Sequence, residues 1–421
     1  MEAMMLLLKG GRIICPTGGL DELGDVLIED DQIVSVGVVE APEGADVIDC
    51  SGCIIAPGFV DLSVTLGDPG QTWREGLSHG SEIAAAGGFT TIVLNPDTDP
   101  TIDLPSVVSE LVSRAGSVPG ARIQIAGALT RGLTGENLSE VGLLIEAGCV
   151  LLSDGGKSIT DTRILRRVLE YSAPMGVPVM IRPGDTALEE GGAMHEGRIS
   201  SRIGLRGIPA AAEEIGVARA IALVRLSGTR IHLSHITTAQ TLRMVAQAQE
   251  DGLPITASVP ARSLVLTDEA IEDSVYNTSG RLVPPLRPEA DRVALCGGAS
   301  QRLCVSADHV PWSRVEKELE FAYASPGANG LETAAAAAWT AMKGDATGFV
   351  SAMSVRPAAI LGQHAAVSAG AVADLVVFDT EVSWQVSASL RSRGVSEPLV
   401  GRTLTGRVRA TLVAGCPVFE A

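Results

Sequence analysis

The sequence predicts an α/β fold: a parallel (β/α)8 barrel over residues 57–363, with a small β domain assembled from both ends of the chain, 1–56 and 364–421. Three observations predict it. Through the middle, apolar runs of strand length alternate with amphipathic helical stretches, the pattern of parallel strands joined by crossover helices. Both ends read instead as short strands separated by polar turns. At 421 residues the chain exceeds one compact domain, which favours a large domain with a smaller companion.

The first end, from Met4 to Ala56, supplies Gly11–Cys15 before a Pro16-Thr17-Gly18-Gly19 turn. A hairpin over Val26–Val36 follows, with its turn at Asp30-Asp31, and then the strands Val47–Cys50 and Cys53–Ala56. Met1–Lys9 is apolar but short, and acidic where a signal peptide is basic, so it reads as a strand. The second end supplies Ala373–Asp379, Trp384–Val386 and Gly406–Gly415.

In the middle, Pro57-Gly58 punctuates the start of a buried-strand pattern through Leu66. Further strand-like runs are Thr90–Leu94, Ile123–Ala128, Val150–Ser153, Val177–Ile181, Arg230–Ser234, Ile255–Ser258 and Leu303–Ser306. Helical patterns include Ala210–Leu226 and Ala239–Glu250. The alanine run Ala334–Ala338 reads as a helix, because alanine loses least entropy there.

Composition narrows the partners. A formal charge of −18 argues against nucleic acid and anionic membrane, which need basic patches. No long uncharged apolar run suggests a membrane span. Aromatics make up only 3% of the chain, so packing must rely on small and branched aliphatic side chains. Seven scattered cysteines predict a reduced, cytoplasmic chain. Cys50-Ser51-Gly52-Cys53 is a lone C-x-x-C that suits a strand–turn–strand better than a redox or zinc site.

In a parallel barrel the chemistry sits at the C-terminal ends of the strands. Ser63 and Thr65 lie there on the first strand, two apart and therefore on one face. A metal hydrolase of this architecture would carry His-x-His at that place. Of the six histidines, only His232, His235 and His309 fall at or just beyond strand ends. His79 and His364 fall in helical stretches and His195 in a loop.

The motifs resemble those of a dihydroorotase, in the cyclic amidohydrolase group of the amidohydrolase superfamily. They run from Pro57-Gly58-Phe59-Val60-Asp61 and Asp68-Pro69-Gly70-Gln71-Thr72 through Glu75 to Ala84–Thr91. Gly204–Pro209, His232–Thr238, Pro284-Pro285-Leu286-Arg287, Ala307–Pro311 and Gly330–Thr333 continue the match. The resemblance implies a composite β-sandwich from the two ends. It also implies opening and closing of a cyclic amide between dihydroorotate and carbamoyl-aspartate. In such proteins zinc polarises the carbonyl and activates a hydroxide, an Asp on the last strand serves as general base and acid, and an Arg and an Asn grip the substrate carboxylate.

Carried over position by position, much of that site is missing. The first-strand metal histidines are Ser63 and Thr65, whose hydroxyls are poor zinc ligands beside imidazole. The substrate Arg is Gly67, the substrate Asn is Asp97, and the Asn before Pro284 is Val283. A further metal histidine is Arg182, a permanent cation, and the His after His309 falls at Trp312. Three positions survive. Asp154 matches a bridging carboxylate, His235 a metal histidine and Asp308 the catalytic Asp. Each also has a structural reading: Asp154 as a turn cap or a partner of Arg182, His235 as a mouth histidine bonded to Asp154 or Asp308, and Asp308 as a loop anchor. Asp61 reads as structural.

Two functional readings follow from the resemblance. In one the chain is a pseudoenzyme without a cofactor, acting as a structural partner of aspartate transcarbamoylase in pyrimidine biosynthesis or associating with itself. In the other it is an active cyclic amidohydrolase that uses zinc at Asp154, His235 and Asp308, or a metal-free anion site formed by Arg182, Ser63 and Thr65. The loop Glu316-Lys317-Glu318 resembles the family's lid and also reads as a solvated charged loop. Arg198, Arg202 and Arg206 could hold an anion, or form a surface face or a subunit contact.

Overall fold

The computed structural model describes residues 5–273 and 277–421; Met1–Met4, part of the strand expected at the start, lie outside the described residues. The first end forms β1 (Met5–Cys15), β2 (Leu20–Glu29), β3 (Gln32–Gly37), β4 (Asp46–Asp49) and β5 (Cys53–Pro57). The hairpin turns at Asp30-Asp31, with Glu29 paired to Gln32. A bulge between Leu8 and Gly11 bends β1. Its first half pairs with β4 and its second half with β5, so one strand serves two edges.

The barrel strands are β6 (Phe59–Val64), β7 (Phe89–Leu94), β8 (Arg122–Ala128), β9 (Cys149–Ser153) and β10 (Val179–Ile181). A two-strand ribbon follows, β11 (Met194–His195) with β12 (Gly207–Ile208). The barrel then resumes with β13 (Ile231–Leu233), β14 (Ile255–Pro260) and β15 (Cys304–Ser306). These eight strands are parallel and ordered β6-β7-β8-β9-β10-β13-β14-β15. The chain ends in β16 (Leu375–Gln385), β17 (Thr403–Val413) and β18 (Cys416–Glu420). β16 pairs antiparallel with β5, which joins the two ends of the chain in one sheet, as the alternation of sequence patterns predicts.

The ring closes at a seam between β15 and β6. A single bridge joins Val64 to His309, and Thr65 N donates to His309 O at 2.9 Å. Asp61 carries the rest of the seam. Its carboxylate accepts Ala307 N at 2.5 Å, Ser306 Oγ at 3.0 Å and Ser63 N at 2.9 Å. The structural reading of Asp61 thus has a concrete form: it ties the first strand to the last.

Val60, Leu62, Val93, Ala126, Leu151, Met180 and Cys304, drawn from six strands, pack together and fill the lower barrel with Ala358 and Ile360. The alternate positions face the helices and join the largest apolar cluster. The helix Ala210–Ser227 packs its small residues inward; a Cβ at Gly216 would meet Gly184 N at 2.4 Å, so glycine permits the helix to approach the loop after β10. The helix Ala239–Glu250 starts where Thr238 accepts Thr241 N at 3.1 Å. The scarce aromatics are concentrated at one joint. Phe59, Phe89, Phe349, Phe378 and Trp339 meet edge-on or tilted, at centroid distances of 5.2–6.3 Å, where β6 approaches β16. Such pairs each add about 0.5–1.5 kcal/mol beyond burial. His364 lies in a loop after the helix Arg356–Ile360, not in a helix. Among the described residues no helix is long and apolar enough to cross a membrane.

Candidate active site at the barrel mouth

The first strand ends in Ser63 and Thr65, both buried. They share a face, as their spacing predicts. Asn95 at the end of β7 reaches both, with Nδ2 at 3.1 Å from Ser63 Oγ and 3.4 Å from Thr65 Oγ1. Thr65 Oγ1 donates to Asp97 Oδ2 at 2.9 Å, while Asp97 Oδ1 has no hydrogen-bond partner among the described residues. Burial pushes the Asp97 carboxyl above the usual carboxylate range, opposed by Arg74 and by the Thr65 hydrogen bond. Gly67 is at φ +72°, and a Cβ there would lie 2.5 Å from Gln71 O. The tight turn, closed by Gln71 N to Gly67 O at 2.6 Å, has no room for the arginine expected at this position.

Arg182 and Asp154 do not pair, contrary to one reading of the sequence. Asp154 instead holds the chain after β8: it accepts Leu129 N and Thr130 N at 2.9 Å each, and Thr130 Oγ1 at 2.5 Å. Burial raises its pKa against those bonds. Arg182 forms a two-pronged ion pair with Glu189, at 2.9 and 2.6 Å. Its fork is therefore occupied, and the metal-free anion site imagined between Arg182, Ser63 and Thr65 does not form. Beside this pair a cavity of about 550 Å³ opens, lined by Glu189, Glu190, Gly192, Arg281, Val283 and Ala322 among others. Ser63, Thr65, Asp97, Asp154, His235 and Asp308 are not in its lining.

His235 and Asp308 both sit at positive φ, +58° and +47°, in the left-handed region that a side chain rarely adopts. They face each other, with Nδ1 3.5 Å from Asp308 Oδ1. His235 Nε2 lies 3.2 Å from Ser306 Oγ. This line of Asp, His and Ser has the order of a nucleophilic triad, but the proton runs the other way. Ser306 Oγ donates to Asp61 and accepts Asp308 N, so its hydroxyl proton is not shared with the imidazole. Arg262 holds Asp308 in place. It donates to Oδ2 at 3.1 Å and to the carbonyls of Ala307, Asp308 and Asn329 at 2.7–3.0 Å. The loop-anchor reading of Asp308 thus has a physical basis, and the fold brings His235 to Asp308, not to Asp154.

The family's zinc can be tested against these side chains. Among the described residues no group of three or more His, Cys, Asp or Glu is arranged to hold a metal ion. The donor set does not fit. Two hydroxyls are engaged with an amide and a carboxylate, one position carries a cation, and the Asp154 carboxylate already accepts three hydrogen bonds from the chain after β8.

One group has no counterpart in the sequence motifs, and others show their partners only in the fold. Arg262 lies in no motif and gave no signal. Glu75 and His309 were both within quoted motifs, yet only the fold shows Glu75 buried between His309 and His79, at 3.5 and 3.3 Å. Burial raises the Glu75 pKa, but His309, Ser392 and Arg393 outweigh it and hold the carboxyl below its usual range. Arg287 of the Pro-Pro-Leu-Arg run binds Glu213 at 3.5 Å, Thr237 Oγ1 at 3.0 Å and His195 Nδ1 at 3.0 Å. Lys317 is not solvated: its amine donates to Ser325 O and Gly327 O, and burial pushes its pKa down to about 7. Arg198 pairs with Glu269 at 3.3 Å, both side chains exposed. Cys50 and Cys53 are free, flank the β4–β5 turn, and are pushed by burial up to about 12 and about 11, which removes thiolate chemistry at neutral pH.

The comparisons with known proteins agree with the architecture. The family model described as "Dihydro-orotase-like" matches residues 52–241. A dihydroorotase of Citrifermentans bemidjiense is 39% identical, over 99% of this chain and 100% of its own. One of Anaeromyxobacter dehalogenans (strain 2CP-C) is 40% identical, over 99% of this chain and 98% of its own. Among solved structures, an L-hydantoinase (dihydropyrimidinase) from Arthrobacter aurescens superposes with a TM-score of 0.87 at 23% identity, covering 99% of this chain and 96% of that one. At that identity the likeness concerns the fold alone. With relatives so similar along nearly the whole of both sequences, this chain belongs to the dihydroorotase family.

Proposed function

We propose that this chain is a non-catalytic member of the dihydroorotase family that serves pyrimidine biosynthesis as a structural partner of aspartate transcarbamoylase. One observation carries the non-catalytic part. The positions that would hold zinc are Ser63, Thr65 and Arg182, and each is satisfied internally by Asn95, Asp97 or Glu189. None of these three positions offers a free ligand to a Lewis acid that would activate a hydroxide. The substrate grip is lost by the same logic: Gly67 and Val283 offer no charge or amide, and Asp97 would repel a carboxylate. The fold does not depend on these groups, because its stability resides in the barrel core. The partnership is carried over from the family resemblance.

A second reading, an active cyclic amidohydrolase, rests on the retained His235–Asp308 contact at 3.5 Å. Hydrolysis of dihydroorotate by the purified chain, with and without added zinc, separates the two. The expected result is no turnover in either condition. Zinc-dependent turnover that disappears in Asp308→Ala would overturn the proposal. The partnership is tested separately by size-exclusion chromatography with aspartate transcarbamoylase, where co-elution is expected and independent elution refutes that part alone.

A further inference from the structure

Away from the mouth, a cleft of about 720 Å³ opens between β16, β17 and β18 and the helices Leu77–Ala86 and Ala334–Met342. Arg391, Arg407 and Arg409 line it, together with Trp384 and Phe419. In a chain of formal charge −18, three guanidinium groups line this one cavity, beside the carboxylates of Glu332, Asp379 and Glu420. Among the described residues none of the three has a side-chain hydrogen bond or an ion pair; Arg409 is influenced by Asp49 only at longer range. Arg391 lies over the Phe419 ring at 5.2 Å and Arg407 over Trp384 at 5.5 Å. A ring face positions a guanidinium without using its N–H donors, which stay available to an acceptor in the cleft. Arg407 and Arg409 are two residues apart on β17, so their stems are separated by about 7 Å along the strand.

The cleft also has acidic residues, and two of them are already committed. Glu332 accepts the backbone amides of Arg391 and Ser392, at 2.9 and 3.0 Å. Asp379 accepts those of Glu381 and Val382, at 3.0 and 3.1 Å. Glu420 is exposed. Two of the three lining carboxylates are thus held by backbone amides, while the three guanidinium groups keep their N–H donors.

We propose that this cleft binds a small polyanion of the oligophosphate class, either a free inorganic oligophosphate or the phosphate chain of a nucleotide. The volume lies within the range of small-molecule sites, roughly 300–1,000 Å³. A forked guanidinium matches two oxygens of one phosphate, and neighbouring forks suit successive phosphates. None of the mouth residues lines the cleft, so the inference stands apart from the reading of the mouth.

Isothermal titration of the full chain with sodium pyrophosphate, and separately with ATP, tests it; tryptophan emission gives a second signal because Trp384 lies under Arg407. Saturable binding is expected, weakened at least about tenfold in Arg391→Ala and in Arg407→Ala. Arg166→Ala, which removes a surface pair with Glu170, should leave it unchanged. Equal affinity for the two probes assigns the free phosphate chain, and tighter ATP binding assigns a nucleotide; both uphold the site. No saturable binding of either probe by about 10 mM overturns the proposal, and so does binding that survives the double Arg391→Ala/Arg407→Ala substitution.

Discussion

Replacing Asp97 by asparagine should stabilise this protein at neutral pH, although it removes a charge and changes no volume. The carboxyl is buried, one oxygen bonds Thr65 Oγ1 and the other has no partner. Burial is the largest influence on it and raises its pKa. The folded state therefore holds the proton more tightly than the unfolded state, and stability declines as pH rises from the ordinary carboxylate range through the folded pKa. Asparagine keeps an acceptor for Thr65, puts an equally unpartnered amide nitrogen where Oδ1 was and loses the attraction of Arg74, so the gain at pH 7 comes only from relieving a buried charge and should be at most about 1 kcal/mol. Urea unfolding of both proteins at pH 7 and at pH 4 measures it. The gain should shrink at the lower pH, where less of the wild-type carboxyl is ionised. A loss of more than about 1 kcal/mol at pH 7 would show that the ionised carboxylate is needed by Arg74 or by a ligand, and would refute the argument.

Other expectations concern different parts of the molecule. Glu213→Ala strands the buried Arg287 and should cost about 3–5 kcal/mol in urea unfolding; a cost below about 1 kcal/mol would mean that Thr237 and His195 suffice to hold the guanidinium. Lys317, lowered to about 7, is neutral in the folded state over a range where the unfolded lysine is charged. Stability should therefore rise between about pH 7 and 10, and Lys317→Met should flatten that slope; an unchanged slope excludes Lys317 as its source. Glu397, raised by burial to about 7, acts in the opposite sense: its contribution is lost between about pH 4.5 and 7, and Glu397→Gln should remove that decline. Added zinc should not shift the thermal midpoint, because among the described residues no group of three or more His, Cys, Asp or Glu is arranged to hold it; a rise of several degrees at equimolar zinc would contradict the geometry of the mouth.

Most of the fold is readable in the sequence because strands and helices announce themselves by period. The helix Ala239–Glu250 has the bounds its pattern predicts, and the acidic turn Asp30-Asp31 sits where the hairpin needs it. The identities at the mouth are equally legible, since Ser63, Thr65 and Arg182 are simply read off. Their partners are not. That Arg182 would take Glu189 rather than Asp154 depends on where the helix Thr186–Glu189 folds back, which no local period encodes. Arg262 is invisible for a similar reason: its acceptors are backbone carbonyls 45–67 residues away, and carbonyls have no sequence signature. Lys317 misled because a charged run looks solvated until the chain around it closes.

The seam between β6 and β15 sorts the mouth residues into two kinds. Asp61, Ser306 and the backbone of His309 fasten the wall of the barrel, so altering Asp61 or Ser306 would loosen the cylinder itself. Among the described residues the side chains of Ser63 and Thr65 hydrogen-bond with Asn95 and Asp97, not with the last strand. The molecule thus separates the parts that frame a reaction chamber from the parts that would equip it. Histidines installed at 63 and 65 would meet an intact wall, and Arg182 would have to give way as well before this vessel could hold a metal centre.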